Sequence, residues 1–473
     1  MQLVKSITSK KINALAIKSI ALFAIISSTV SVVIGQDNSP YSRFGIGDLV
    51  PPSNTISRGM GGISAGYSDY FSINFNNPAS FASFQGNKEL RSNKLSSGRT
   101  ILDVGMNFES RTLTEKGNPQ TFNASNALFS YVQVGVPLKP NWGLSFGLRP
   151  ISRVSYKLFN TEMLVDPRTG LPIDSALTRY EGDGGSYLAS LGTGFSIYTN
   201  EKHGLEEKLS IGFTAGYMFG KKNYSTRRSF INDSVQYAQA NIETKTNFGS
   251  LNFNAGLQYK LPVSSNIILT VGAFGGWGQK MNASQDILKE TFIFNASAGE
   301  IRLDSVSDTR DIKGKLELPA SVTVGFVLQK FPVPNKEGGW LIGADYSQQN
   351  WSNYRLFNQV DALRNKWEIK VGAQINPVPK RNYFSNVGYR FGLFMGPDYV
   401  NVGGQKLSQF GGSFGLGLPM ALSRQAPNQL SIINLALEYS KRGNNDNLLK
   451  ENMFRVSLGL ALSDIWFIKR KYD

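Results

Sequence analysis

From Leu251 to Leu261 the odd positions Leu251, Phe253, Ala255, Leu257, Tyr259 and Leu261 are apolar, while Asn252, Asn254, Gly256, Gln258 and Lys260 between them are polar or glycine. Successive side chains of an extended strand point to opposite faces, so this stretch has one face fit for lipid and one fit for water. The same alternation recurs along most of the chain. From residue 101 it marks fourteen expected strands, near 101–113, 124–138, 141–158, 185–199, 207–222, 245–261, 265–280, 312–330, 338–352, 364–376, 384–398, 408–420, 428–442 and 449–467. Such strands are about twice the length usual in soluble sandwiches, and an even number of them is what a single-chain barrel needs. The expected fold is therefore all-β, a 14-stranded antiparallel transmembrane β-barrel.

The connections agree. Lys139-Pro140 is tight, 161–184 long, 200–206 short, 223–244 long, 262–264 tight and 281–311 long. Short turns on one side and long loops on the other are the outer-membrane pattern, and an even count puts both termini on the short-turn, periplasmic side. All six tryptophans, Trp142, Trp277, Trp340, Trp351, Trp367 and Trp466, fall near inferred strand ends, where an interfacial girdle belongs. Trp340 and Trp351 bracket one strand but differ in parity, so both face lipid only if a bulge intervenes.

The first residues carry Lys5, Lys10, Lys11 and Lys18 and no acid, then an apolar stretch from Ile20 to Ile34 that ends at Gly35. This predicts a signal peptide over 1–35, hence export. Cysteine is absent, as suits an exported chain whose closed ladder needs no disulfide, and leaves no lipidation site. The net charge of +16 is spread through loops and strand ends with no basic helix, which argues against nucleic acid and for anionic outer-membrane lipid or lipopolysaccharide. Residues 36–100 lack a sustained period and precede the expected barrel domain, 101–473.

That segment holds Arg58-Gly59-Met60-Gly61-Gly62, then Ala65-Gly66-Tyr67, and ends in Asn77-Pro78-Ala79. Here the chain resembles the FadL family of outer-membrane channels for hydrophobic compounds, and within it the branch of bacteria with type IX secretion. The resemblance extends through Leu318-Pro319, Ala344-Asp345-Tyr346 to Trp351, and Trp466 to Tyr472. It implies an N-terminal hatch segment in the lumen over 36–100, with Asn77, Pro78 and Ala79 as its motif. Gly59, Gly61 and Gly62 would allow tight packing or positive φ. Phe44, Phe71 and Phe75 are guesses for apolar hatch or ligand contacts. One departure is the ending Tyr472-Asp473, where many such barrels close on an aromatic residue.

Catalysis is poorly supported. His203, the single histidine, lies in a short turn, and Gly411-Gly412-Ser413-Phe414-Gly415 matches G-x-S-x-G inside a strand rather than at a strand-turn-helix elbow. No enzyme activity, catalytic residue, metal or cofactor is expected, although Asp304 to Asp311 and Asn444 to Asp446 are acidic enough to hold calcium weakly. The resemblance implies passive uptake of hydrophobic small molecules of the long-chain fatty acid kind. The alternative it offers is a non-transporting barrel that binds a protein partner as an accessory subunit of type IX secretion. An apolar tunnel reaching a lateral opening favours the first, a filled lumen the second.

Overall fold

The structure is a computed structural model that describes residues 39–89, 95–117, 120–231, 238–295, 299–420 and 428–466. The expected signal peptide and the closing run from 467 lie outside the described residues. The first half of the wall is β1 Leu95–Glu115, β2 Thr121–Lys139, β3 Trp142–Val165, β4 Pro172–Lys202, β5 Leu205–Phe230, β6 Gln239–Ser264 and β7 Ile267–Gly276. The second half is β8 Ser321–Lys330, β9 Gly339–Gln349, β10 Lys366–Asn376, β11 Gly388–Pro397, β12 Ser408–Pro419, β13 Leu430–Arg442 and β14 Leu449–Trp466. Each strand pairs antiparallel with the next, and β14 returns to β1 through pairs such as Gly459 with Gly105. The fourteen expected strands and the closed barrel are thus what the chain forms. Closure satisfies backbone groups that lipid cannot.

Face assignment follows the alternation. In β6, Leu251 is 56% exposed and Leu257 45%, whereas Gln258, next after Leu257, is 4% exposed and turned inward.

Three differences from the sequence expectation have physical causes. The long connections are largely strand: β3 runs to Val165, β4 starts at Pro172, and Gln279–Asn295 pairs with Gly299–Leu318 as a hairpin that extends β7 and β8 outward. Beyond the bilayer both faces meet water, so these ladders carry no apolar alternation to read. Trp351 is no girdle residue; it sits in a 3-10 turn, buried, with its ring 4.7 Å from that of Tyr399. The parity clash with Trp340 is resolved by the strand ending at Gln349 rather than by a bulge.

The third concerns where the described chain begins; the termini themselves lie outside the described residues. The last described residue, Trp466, pairs with Gly98 at the short-turn end. The first, Ser39, lies at the long-loop end instead. Its amide donates to Ser155 O at 3.2 Å and its hydroxyl to Glu451 at the outer start of β14. From there the chain descends inside the barrel. Asp48 and Leu49 form a short strand on Arg153 and Ser152 of β3, a helix spans Thr55–Gly59, a 3-10 turn spans Pro78–Ser83, and Gly86–Lys88 pairs beside β1.

Candidate functional site: hatch seat and luminal chamber

Asn54 starts the short helix by accepting the Ser57 amide at 2.9 Å, the usual use of asparagine at a helix start. Asn77 plays the same part at the next turn, accepting from the Ala79 amide at 3.1 Å, while Pro78 takes the first position. The Asn77 amide nitrogen donates to Ala65 O at 2.8 Å and to Leu257 O of β6 at 3.2 Å. One side chain therefore caps a turn, ties two hatch segments together and fastens both to the wall. Gly61 and Gly62 have φ of +67° and +88°, while Gly59 has none but meets Gly415 of β12 almost backbone to backbone.

The wall receives the hatch with residues that the sequence did not assign to this contact. Asp345 of β9 accepts the Ser64 amide at 2.6 Å and that of Ala65 at 2.9 Å. Gln258 donates to Ala65 O, Asn254 to Asn76 O, and Ser413 accepts from the Gly61 amide at 3.0 Å. The serine of the G-x-S-x-G match is thus a hatch anchor. Asp103 accepts from Ile73 N and from the Tyr131 hydroxyl, which also contacts Thr55. A polar inner face was legible from alternation, but which hatch amide each residue meets was not.

A belt of inward glycines makes this contact possible. Gly143, Gly194, Gly212 and Gly256 face one another in consecutive pairs across β3 to β6, as do Gly343, Gly372 and Gly392 across β9 to β11. A Cβ on Gly194 would stand 2.2 Å from Pro78 O, on Gly256 2.1 Å from Asn77 Oδ1, on Gly272 1.9 Å from Ala65 O and on Gly392 1.8 Å from Gly61 N. Gly135, Gly415 and Gly459 meet Phe84, Gly59 and Thr55 in the remaining arc. Along β3 to β5, at Gly272 and along β10 to β12 the hatch backbone is pressed on wall backbone, and in the remaining arc its side chains fill the contact.

Above the hatch lies a chamber of roughly 340 Å³, a size that suits a small ligand. Its two sides differ. Ile151, Leu188, Met218, Phe274 and Leu318 line one; Arg58, Arg111, Glu438, Arg442, Glu451 and Arg455 line the other. On the charged side Arg111 reaches Asp48 at 2.5 Å, Arg442 reaches Asp48 at 3.1 Å and Asp398 at 2.9 Å, and Arg455 reaches Glu109 at 2.7 Å and Glu438 at 2.6 Å. Burial alone would raise the Asp48 carboxyl, but Arg111 and Arg442 outweigh it and hold the group below the usual aspartate value. Burial brings Arg58 of the hatch down to about 10.

Beside the chamber the wall ladder is interrupted between β6 and β7. The β6 ladder pairs Ala255 with Gly275 of β7 and resumes only at Gly249 with Asn282, leaving 250–254 opposite 276–281 without register pairs. Gln279 bridges the interval, its amide oriented so that the nitrogen donates to Leu251 O and the oxygen accepts from Phe253 N at 2.8 Å. Phe253 and Trp277 belong to the lipid-facing side, stacked at 6.0 Å, yet both also line the chamber beside Asn252 and Asn254. Inner and outer faces meet there.

The three guessed phenylalanines do not gather. Phe44 joins the apolar packing around Tyr399 and Trp351 at the outer end, Phe71 lies under Arg99 at the short-turn end, and Phe75 alone reaches the chamber. His203 occupies an exposed turn. Among the acidic stretches, Asp308 is paired with Arg310 at 2.9 Å and Asp311 with Lys313; no group of potential metal ligands occurs among the described residues.

Comparison with solved structures gives the same architecture. A Pseudomonas aeruginosa FadL homologue is 13% identical over 90% of this chain and 100% of its own, with a TM-score of 0.51. The CymD monoaromatic hydrocarbon channel is 14% identical, covering 88% of this chain and 98% of its own, with a TM-score of 0.47. The Ralstonia pickettii toluene transporter TbuX is 13% identical over 87% and 97%, with a TM-score of 0.45. At such identity the first of these establishes the fold, a FadL-like barrel of the outer-membrane type. A search of curated proteins finds no match to this chain. The BamG family model matches residues 16–473, nearly the whole sequence, and the chain belongs to the BamG family.

Proposed function

We propose that this protein is an outer-membrane barrel that takes up hydrophobic small molecules sideways, between its luminal chamber and the bilayer, with the short-turn end in the periplasm. The observation that carries the reading is the β6–β7 seam, where lipid-facing Phe253 and Trp277 also line the chamber. In this reading the hatch closes the axial route, so a ligand has the seam for its path and Gln279 for its latch. The two-sided chamber suits an amphiphile, with its chain against Ile151, Leu188 and Met218 and its polar end toward Arg111, Arg442 and Arg455. The solved channels named for aromatic hydrocarbons and toluene share the fold at low identity, which is compatible with this class of ligand. In this reading passage is passive and downhill.

The second reading, a partner-binding accessory subunit such as one serving type IX secretion, is favoured by the hatch itself. A lumen shut by backbone contact and by buried ion pairs is what a non-transporting barrel would retain. Purification of the full chain in mild detergent, with identification of bound lipid and of co-eluting protein, separates the two. Uptake predicts a bound fatty acid or similar amphiphile, and loss of it in Met218→Trp, which fills the apolar wall. An empty chamber together with a stoichiometric partner would sink the uptake reading.

A further inference from the structure

The lipid-facing side of β11 to β14 carries a feature that neither the hatch nor the seam uses. Gly412 of β12 faces outward between Leu393 of β11 and Tyr439 of β13, its direct partners in the two ladders. A Cβ there would find Leu393 Cδ2 at 3.4 Å and Gly392 O at 3.8 Å and nothing else within reach, so the position is open. Gly249 also faces outward, but the Tyr217 hydroxyl, 2.7 Å from where its Cβ would stand, fills that space. The result at Gly412 is a notch of roughly 530 Å³, rimmed by Phe391, Leu393, Phe414, Leu437, Tyr439 and Phe454.

Fluid lipid needs no such notch. A glycine inside a strand gives up packing, and a common use of one is to let another group approach closely. The rings and aliphatic side chains around it would hold a single chain by many simultaneous dispersion contacts. What stands above the notch identifies the other end of that chain. One step outward Phe410 pairs with Lys441, whose Nζ lies 6.0 Å from the centre of the Tyr439 ring. Lys441 pairs in turn with Asn452 of β14, and Lys450 occupies the next outward position, its Nζ donating to Asn445 Oδ1 at 3.1 Å. Neither lysine has an ion pair among the described residues, because the carboxylates of β13 and β14 at this height, Glu438 and Glu451, are turned inward to Arg455 and Arg442. An apolar recess below unopposed positive charge is the profile that recognises acyl chains with an anionic headgroup. Both lysines stand at the long-loop end of the wall, so the leaflet they meet is the outer one.

We propose that the Gly412 notch binds one phosphorylated, multiply acylated glycolipid of the outer leaflet, with an acyl chain lying across Gly412 and a phosphate between Lys441 and Lys450. Lysine meets phosphate as a point charge on a flexible stem, so two of them on adjacent strands hold a headgroup without a rigid pocket. The site rests on the orientation proposed above, with the long-loop end outward. It lies nearly opposite the β6–β7 seam and is independent of uptake.

For the test, the full chain is purified in mild detergent, stripped of lipid and titrated with purified lipid A, with phosphatidylethanolamine as the comparison, and bound lipid is counted by native mass spectrometry. Gly412→Phe fills the notch, Lys441→Glu with Lys450→Glu reverses the rim, and Val324→Phe at a lipid-facing position of β8 is the control. Each variant is first checked for the heat-modifiable band of a folded barrel. Parent and control should bind one lipid A per barrel, and both notch variants should bind it about tenfold more weakly or worse. Equal binding in Gly412→Phe, a preference for phosphatidylethanolamine, a dimer whose second copy covers the notch, or no lipid bound by the parent would each overturn the proposal. Asp446→Cys, in an exposed loop beside the rim, reads the orientation by itself through labelling of intact cells with a membrane-impermeant maleimide. The chamber ligand is read through Met218→Trp, which leaves the notch intact, so failure at one place is seen apart from failure at the other.

Discussion

Asn77 shows how much a single side chain carries and why the sequence revealed it. Its motif was singled out through the family resemblance, since Asn-Pro-Ala by itself is a common tripeptide, and in the structure the side chain satisfies three backbone groups in a fully buried position. Asn77→Ala leaves those groups unpaired, and the hatch should lose about 2–4 kcal/mol. Hydrogen exchange over residues 61–84 should quicken while the barrel keeps its folded electrophoretic mobility. Unchanged exchange would show that the wall holds the hatch without it. Gln279 is the opposite case. A glutamine after glycine in an exposed stretch carries no pattern, and its role emerges only when the missing ladder between β6 and β7 is seen. Gln279→Leu, which keeps the bulk and removes both bonds, should speed the exchange of a fluorescent fatty acid between vesicle and protein several-fold; equal rates would remove the residue from the path.

At the level of elements, the strands were readable wherever lipid met one face and water the other, and unreadable beyond, which is why β3 to β6 are longer than alternation suggested. The hatch was readable as a segment without period, but not its seat, because an inward glycine in a barrel strand looks the same whether or not a backbone lies against it. Gly392 makes the distinction measurable. A Cβ there meets Gly61 N at 1.8 Å, so both Gly392→Ala and Gly392→Val should lift the hatch from β11. In planar bilayers the parent protein is expected to be electrically silent and Gly392→Val to pass steady current. Large steady currents from the parent would contradict the seal. The strap at Asp48 has its own condition. Its carboxyl is depressed in the folded state, so its contribution is present above the ordinary aspartate range and is lost as pH falls through the lower folded value. Protection of residues 45–50 from exchange should therefore persist through mildly acidic pH and fail only in strong acid. Asp48→Asn should loosen the strap at neutral pH as well.

Over the whole molecule, strand number, closure and the placement of the N-terminal segment inside the wall follow from a repeated two-residue alternation and one aperiodic stretch. The side on which the chain begins its descent did not follow, because nothing in Ser39 to Gly47 announces its partners at the outer end: Tyr354 donates to Gly45 O at 3.0 Å and Lys222 to the same oxygen, contacts between residues hundreds of positions apart. Long-range pairing of this sort is invisible to local pattern.

The glycine belt also dictates an order of construction. A disc that bears on the wall all round, from Gly135 to Gly459, is too tightly fitted to slide in through either mouth of a finished cylinder. The segment precedes every barrel strand in the chain, so it is available first, and the sheet must be wound around it like cloth on a mandrel before β14 is stitched to β1. Residues 51–84 are then as much a template for the wall's circumference as a stopper within it. A chain deprived of them would be expected to stall as an open sheet rather than to mature into an unplugged pore.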